Sequence, residues 1–343
     1  VPVVASTYTP PPLLSGGHRQ TLYASLVRRV DFTYDRRERV DTPDGDFLDL
    51  DWAAARPNGA SEERGRAVIL THGLEGSADG TYTRGMSRAF VRRGWDVCAW
   101  NLRGCSGEIN RTATTYHSGK TEDLACVVAH IFEQGYSTVA LIGFSLGGNL
   151  TLKYLGERGE TIDDRICGAV AFSVPVDLEG SSHQIGQLSN WHYTQYFLRT
   201  LRQTIRQKAE QHAEVSTDAL RHVRTLRDFD DAYTAPLNGF RGADAYYRAA
   251  SSKPLLSDIA VPTLLVNAAN DPFLSETCYP TEAANGHSEF TLEVPESGGH
   301  VGFVRFTENG EYWSERRAAS FLATALQLQK KDGRPDVEEP LDR

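Results

Sequence analysis

Gly143-Phe144-Ser145-Leu146-Gly147 is the stretch that decides how this chain is read. It follows Thr138-Val139-Ala140-Leu141-Ile142, a short apolar run rich in β-branched residues, and precedes residues 148–156, whose apolar spacing suits a helix. A strand that turns so sharply into a helix strains the backbone of the central residue. Glycines two positions either side let the two segments pass without Cβ clashes. Ser145 is therefore expected at the tip of a nucleophile elbow. It would sit at a helix N-terminus, where the N–H of Leu146 lacks a helical partner and can face a developing oxyanion.

A serine hydroxyl becomes a useful nucleophile only when a base takes its proton and a third group orients that base. Asn270-Asp271-Pro272-Phe273 directly follows the apolar run Thr263–Ala268, and Ser297-Gly298-Gly299-His300 follows the next apolar run. Both candidates leave strand C-terminal ends, on the same sheet edge as Ser145. The chain order Ser145, Asp271, His300 is the one α/β-hydrolases use. Asp244 and Glu296 are the reserve acids, but neither directly follows a clear strand. Thr71-His72-Gly73-Leu74-Glu75-Gly76-Ser77, again after a strand, is the expected second oxyanion loop, with Leu74 N–H as its donor. His72 reads as a brace within that loop. Arg103-Gly104-Cys105-Ser106-Gly107 lacks P-loop spacing and a lysine, so Arg103 is expected in a structural ion pair and Cys105 as an inert thiol.

Working outward, apolar runs alternate with amphipathic segments, the pattern of a mostly parallel sheet covered on both faces. Strands are expected at 67–71, 96–101, 138–142, 167–174, 263–268 and 288–294. Helices are expected at 82–93, 121–133, 147–158 and 311–330. Pro43-Asp44-Gly45-Asp46 marks an antiparallel hairpin between 37–42 and 47–52. The predicted organisation is an N-terminal arm, 1–30; a core, 31–176 and 256–330; a helical cap inserted at 177–255; and a charged tail, 331–343. Residues 58–66 read as a surface loop. Within the cap a helix is expected at 191–212, with Phe197, Leu201, Ile205 and Ala209 on one face, and a second helix at 219–226.

The formal charge of −9 and pI near 5.6 argue against nucleic acid as a partner, because phosphate contacts demand a basic surface. Five cysteines, an odd number without C-x-x-C spacing, indicate neither a disulfide framework nor a zinc site; no metal is expected, and a serine nucleophile with its own base calls for no cofactor. No signal peptide and no uninterrupted run of 18 apolar residues is evident, and a cytoplasmic protein is the expectation.

The motifs His72–Ser77, Arg103–Gly107, Tyr116-His117-Ser118-Gly119, Gly143–Asn149, Lys153–Glu157, Asn270–Phe273 and Gly298–Phe303 together resemble the YheT-like esterases of AB hydrolase family 4. The resemblance runs from about residue 18 to about residue 321. It implies an α/β-hydrolase fold, and it matches Ser145, Asp271 and His300 to the family's triad. Eukaryotic relatives in the family act on lipid esters.

The function expected from these residues is cleavage of a small-molecule carboxylic ester, with an apolar acyl group, through an acyl-enzyme. Acyl transfer to an alcohol through the same intermediate is one alternative. A non-catalytic protein that uses the cleft to bind a ligand is the other. Arg199, Arg202 and Arg206 share one face of the expected cap helix, which raises peripheral contact with anionic lipid as a further expectation. Oligomeric state is not legible in the sequence.

Overall fold

The computed structural model describes residues 3–55 and 65–331. Most of the expected loop at 58–66 and nearly all of the expected tail therefore lie outside the described residues; within that loop, Arg66 opens a strand. Among the described residues nine strands form one sheet: β1 (Val3–Val4), β2 (Arg36–Asp41), β3 (Phe47–Ala53), β4 (Arg66–Thr71), β5 (Asp96–Asn101), β6 (Thr138–Phe144), β7 (Ile166–Phe172), β8 (Thr263–Val266) and β9 (Phe290–Glu293). Their order is β1-β9-β8-β7-β6-β4-β5-β3-β2. The β2–β3 and β3–β5 pairs are antiparallel, and every other pair is parallel. This is the doubly covered α/β-hydrolase architecture expected above, with the elbow on the central strand β6.

The helices are α1 (Gly17–Leu22), α2 (Thr81–Val91), α3 (Thr121–Glu133), α4 (Leu146–Arg158), α5 (Leu178–Ile185), α6 (Trp191–Gln211), α7 (Ala243–Ala250) and α8 (Trp313–Lys331), with shorter turns between them. Strand β7 is buried along its whole length, as a central parallel strand must be when helices cover both faces. Leu124, Val127 and Ile131 of α3 and Leu150 and Leu155 of α4 fill one side of the sheet. Met86 and Phe90 of α2, with Trp313 and Leu322 of α8, fill the other.

Three expectations are corrected. Strand β8 stops at Val266, two residues early, because the Asn267 side chain replaces the ladder on the β7 side. Its Oδ1 accepts from Val174 N–H at 2.7 Å, and its Nδ2 donates to the carbonyls of Val174 and Cys278. The second insertion helix is broken. A 3₁₀ turn at Asp218–Arg221 gives way to a new helical turn at Leu226–Phe229, started by a capping box in which Thr225 and Asp228 satisfy each other's backbone N–H groups. The buried seam of α6 is Leu198, Leu201, Ile205 and Lys208, alternating three- and four-residue steps. A strict four-residue spacing drifts around a 3.6-residue helix, which leaves Phe197 and Ala209 half-buried.

Strand β1 was not foreseen. The arm places Val3 and Val4 parallel to Leu292 and Glu293, extending the sheet beyond β9.

Candidate active site

Ser145 sits between β6 and α4 with φ +52° and ψ −121°, a conformation that costs a non-glycine residue on the order of 1–3 kcal/mol. The glycines around it show why the turn is possible. A Cβ on Gly143 would lie 2.5 Å from the Gly147 carbonyl oxygen, and one on Gly147 would lie 2.3 Å from the His72 carbonyl oxygen. The β4 loop therefore presses directly on the elbow, and Gly73 would bring a Cβ to 3.1 Å from that of Ser145. Leu146 opens α4, so its N–H has no intrahelical acceptor.

The structure brings Ser145, His300 and Asp271 together. His300 Nε2 lies 2.8 Å from Ser145 Oγ, and His300 Nδ1 lies 2.9 Å from Asp271 Oδ2 and 3.1 Å from Oδ1. The Asp271 carboxylate has no solvent exposure, and its Oδ1 also accepts from Phe273 N–H at 2.9 Å. With a carboxylate on Nδ1, that nitrogen carries the proton, which leaves Nε2 as the acceptor facing the serine. The Phe273 ring lies 4.2 Å from the imidazole, centroid to centroid. The reserve acids lie elsewhere: Asp244 pairs with Arg227, and Glu296 is exposed.

The neighbouring motifs brace the site. His72 is fully buried, accepts at Nε2 from Leu102 N–H at 3.0 Å and donates from Nδ1 to the Gly73 carbonyl. Burial pushes its pKa down to about 4, so it stands neutral beside the serine. The Glu75 carboxyl accepts from Tyr116 Oη at 2.5 Å, and burial raises its pKa. Arg103 is held by Asp44, Asp46 and Asp123, the ion pair the sequence suggested. Burial drives the Cys105 thiol well up, consistent with an inert side chain.

A cavity of about 750 Å³ opens over Ser145 and His300. Its walls include Leu74 and Leu146 beside the serine, Phe197, Leu201 and Ile205 from α6, and Phe229. The arm contributes Thr21, Leu22 and Leu26 to the same cavity. These arm residues went unrecognised in the sequence, where a proline-punctuated arm carries no catalytic motif. Among the described residues no group of three or more histidine, cysteine or acidic side chains is arranged to hold a metal.

The family model described as "Serine aminopeptidase, S33" matches residues 62–300. The chain is 36% identical over 320 residues to "Putative esterase YheT" of Escherichia coli K12, covering 91% of this chain and 92% of that one. It is 30% identical over 318 residues to human "Phospholipase ABHD3", covering 88% of this chain and 75% of the relative. Among solved structures, the Pyrococcus furiosus esterase Pf2001 superposes with a TM-score of 0.55 at 17% identity, over 85% of this chain and 93% of that one, which shows a shared fold. The chain thus belongs to the α/β-hydrolase family that includes YheT.

Proposed function

We propose that the protein cleaves esters of an apolar acyl group by a two-step serine mechanism. The observation that carries this is the 2.8 Å contact between Ser145 Oγ and His300 Nε2 at a strained elbow, floored by an apolar cavity. Ser145 Oγ attacks the ester carbonyl carbon while its proton passes to Nε2, and Asp271 stabilises the resulting imidazolium. The N–H groups of Leu74 and Leu146 hold the oxyanion. Collapse expels the alcohol, which takes the proton from Nε2. Water deprotonated by the same nitrogen then releases the acid and restores the serine. Residues 177–255 act as a cap, with α6 supplying the acyl-facing wall.

An ester fits better than the peptide substrate of an aminopeptidase. Recognition of a free α-amino group calls for an unengaged carboxylate in the cavity. Three acids line it: Glu75 and Asp230 accept from Tyr116 and Tyr247, burial pushes Asp230 up to about 6, and the exposed Asp79 is paired with Arg84. Ser145→Ala should lower turnover of a soluble ester by several orders of magnitude with the melting temperature retained. Unchanged cleavage by the folded variant would end this reading. A chain-length panel should favour acyl chains over short acetyl esters.

The mouth of the cavity supports a lipid–water interface as the source of substrate. Seven of the nine large apolar side chains exposed among the described residues come from two segments, 13–27 and 188–196. They include Leu26 at 65%, Leu188 at 91%, Trp191 at 62% and Tyr196 at 66% exposure, and Leu26 and Tyr196 line the cavity itself. Aromatic rings with a polar edge suit a headgroup layer. The basic face of α6 contributes less, since Arg202 donates to the Val223 carbonyl while Arg199 and Arg206 are exposed. Substituting Leu188 and Trp191 together with Asp should weaken binding to anionic phospholipid vesicles and leave cleavage of a small soluble ester unchanged. Equal vesicle binding would remove the interface from the proposal.

A further inference from the structure

The arm lies ahead of the residues matched by the family model, 62–300, yet it grips both loops that carry Asp271 and His300. Thr21, buried in α1, donates from Oγ1 to the Gly17 carbonyl at 2.8 Å and accepts from the His300 backbone N–H at 2.9 Å. A hydroxyl has one proton, and the helical carbonyl takes it, so toward His300 the oxygen acts as an acceptor. Asn270 Nδ2 donates to the Ser15 carbonyl at 2.8 Å, while Asn270 Oδ1 accepts from Gly299 N–H at 3.0 Å. Gln20 Oε1 accepts from Val304 N–H at 3.2 Å just beyond. The contact leaves no slack: a Cβ on Gly299 would lie 2.4 Å from the Gly17 carbonyl oxygen.

The opposite side of the loop is held by a second hydroxyl. Ser173 Oγ accepts from Val301 N–H at 2.8 Å. Two consecutive N–H groups, those of His300 and Val301, are thus tied to the arm and to the end of β7. Asp271 and Phe273 fix the imidazole ring, but the ring pivots on a Cα within Gly298-Gly299-His300-Val301-Gly302, a sequence with little stiffness of its own.

We propose that Thr21 is a positioning residue for ester cleavage, fixing the His300 backbone so that Nε2 stays within hydrogen-bonding reach of Ser145 Oγ. The proposal rests on the assignment of Ser145, His300 and Asp271 made above. Both acylation and deacylation pass their proton through Nε2, so displacement of His300 slows both steps alike. The ratio of the two rates then holds, and KM with it, while kcat falls.

The test uses the full chain with Thr21→Val, which keeps the shape and removes the acceptor, and Thr21→Ser, which keeps the acceptor. A misplacement of about 1 Å costs up to about a hundredfold in rate, so Thr21→Val should lose roughly ten- to hundredfold in kcat with KM within about twofold. Fluorophosphonate labelling of Ser145 should slow by a similar factor, and Thr21→Ser should recover to within about threefold of the parent. Parental kcat in Thr21→Val, or equal losses in the two variants, would overturn the proposal. Should Thr21→Val melt below the assay temperature, Thr21→Ala is assayed in its place, and unfolding of both would also overturn it, leaving Thr21 a stability residue. Ser145→Ala, run alongside, separates the two readings. Turnover surviving in that variant sinks the serine mechanism, whereas a dead Ser145→Ala beside a full-speed Thr21→Val sinks only the role of Thr21.

Discussion

Gly147 has no room for a side chain. The carbonyl oxygens of His72 and Thr71 would lie 2.3 and 2.5 Å from its Cβ, and both belong to backbone that cannot swing away as a flexible side chain would. Gly147→Ala must push the β4 loop off the elbow, with a loss of roughly 1–3 kcal/mol in urea unfolding and reduced ester turnover. A loss below about 0.5 kcal/mol would mean that the loop yields freely. The neighbouring Gly143 is crowded in the same way, by the Gly147 carbonyl oxygen at 2.5 Å, whereas Gly148 faces a Val174 side-chain methyl at 2.5 Å. Glycine–serine–glycine spacing therefore reflects contact between two backbones as well as the strained φ of Ser145.

At the scale of elements, Arg103 joins the loop after β5 to the β2–β3 turn and to the start of α3. Its guanidinium, only 2% exposed as a side chain, donates to Asp44 and Asp46 in the β2–β3 turn and to Asp123 in the first turn of α3. Burial alone would raise the Asp44 pKa, yet the bonds from Arg103 and Thr42 outweigh it and hold Asp44 at about 2. Arg103→Met would leave these carboxylates with no cation in the fork, and breaking a buried pair from one side costs about 3–5 kcal/mol. Chemical denaturation of Arg103→Met should show a loss of that size. A loss under about 1 kcal/mol would show that water or relaxation replaces the guanidinium. Asn149 does similar work for α4, donating to the carbonyls of Ser118 and Ala250.

For the molecule as a whole, two buried histidines make stability depend on pH. Burial lowers His72 to about 4 and, together with nearby Lys120 and Lys153, lowers His117 to about 3, against 6.5 for an unburied imidazole. Their folded values lie below the unfolded one, so the unfolded chain binds protons first as the pH falls. Their contribution is complete above about 6.5 and is lost progressively down through the folded values. Each unit of separation is worth about 1.4 kcal/mol. Raised acids such as Asp230, at about 6, act in the opposite sense, so the comparison must be between variants. His117→Asn, whose amide oxygen can accept from Gly119 N–H as Nδ1 does, should lose stability less steeply than the parent between pH 6.5 and 5 in urea titrations. Parallel pH curves for the two proteins would show that His117 is not buried neutral. Across the same whole, no helix among the described residues is long and apolar enough to cross a membrane.

The sheet, its mostly parallel order and the loops bearing Ser145, Asp271 and His300 were legible in the sequence because each depends on short-range pattern. An apolar run of five to seven residues becomes a strand, a glycine pair permits the elbow, and a polar residue just after a strand falls on the C-terminal edge. The break at Thr225 followed from capping chemistry that competes with helical periodicity, and the early end of β8 from one asparagine side chain. The docking of the arm had no such local signal. Val3 pairs with Leu292, Tyr8 donates to the Val304 carbonyl and Thr21 meets His300, each about 280 residues or more away in sequence. Local propensity determined where the side chains of Ser145, Asp271 and His300 could stand. Only contacts closed by the folded chain decided what holds His300 in place, because a hydrogen bond between distant segments leaves no periodicity in either of them.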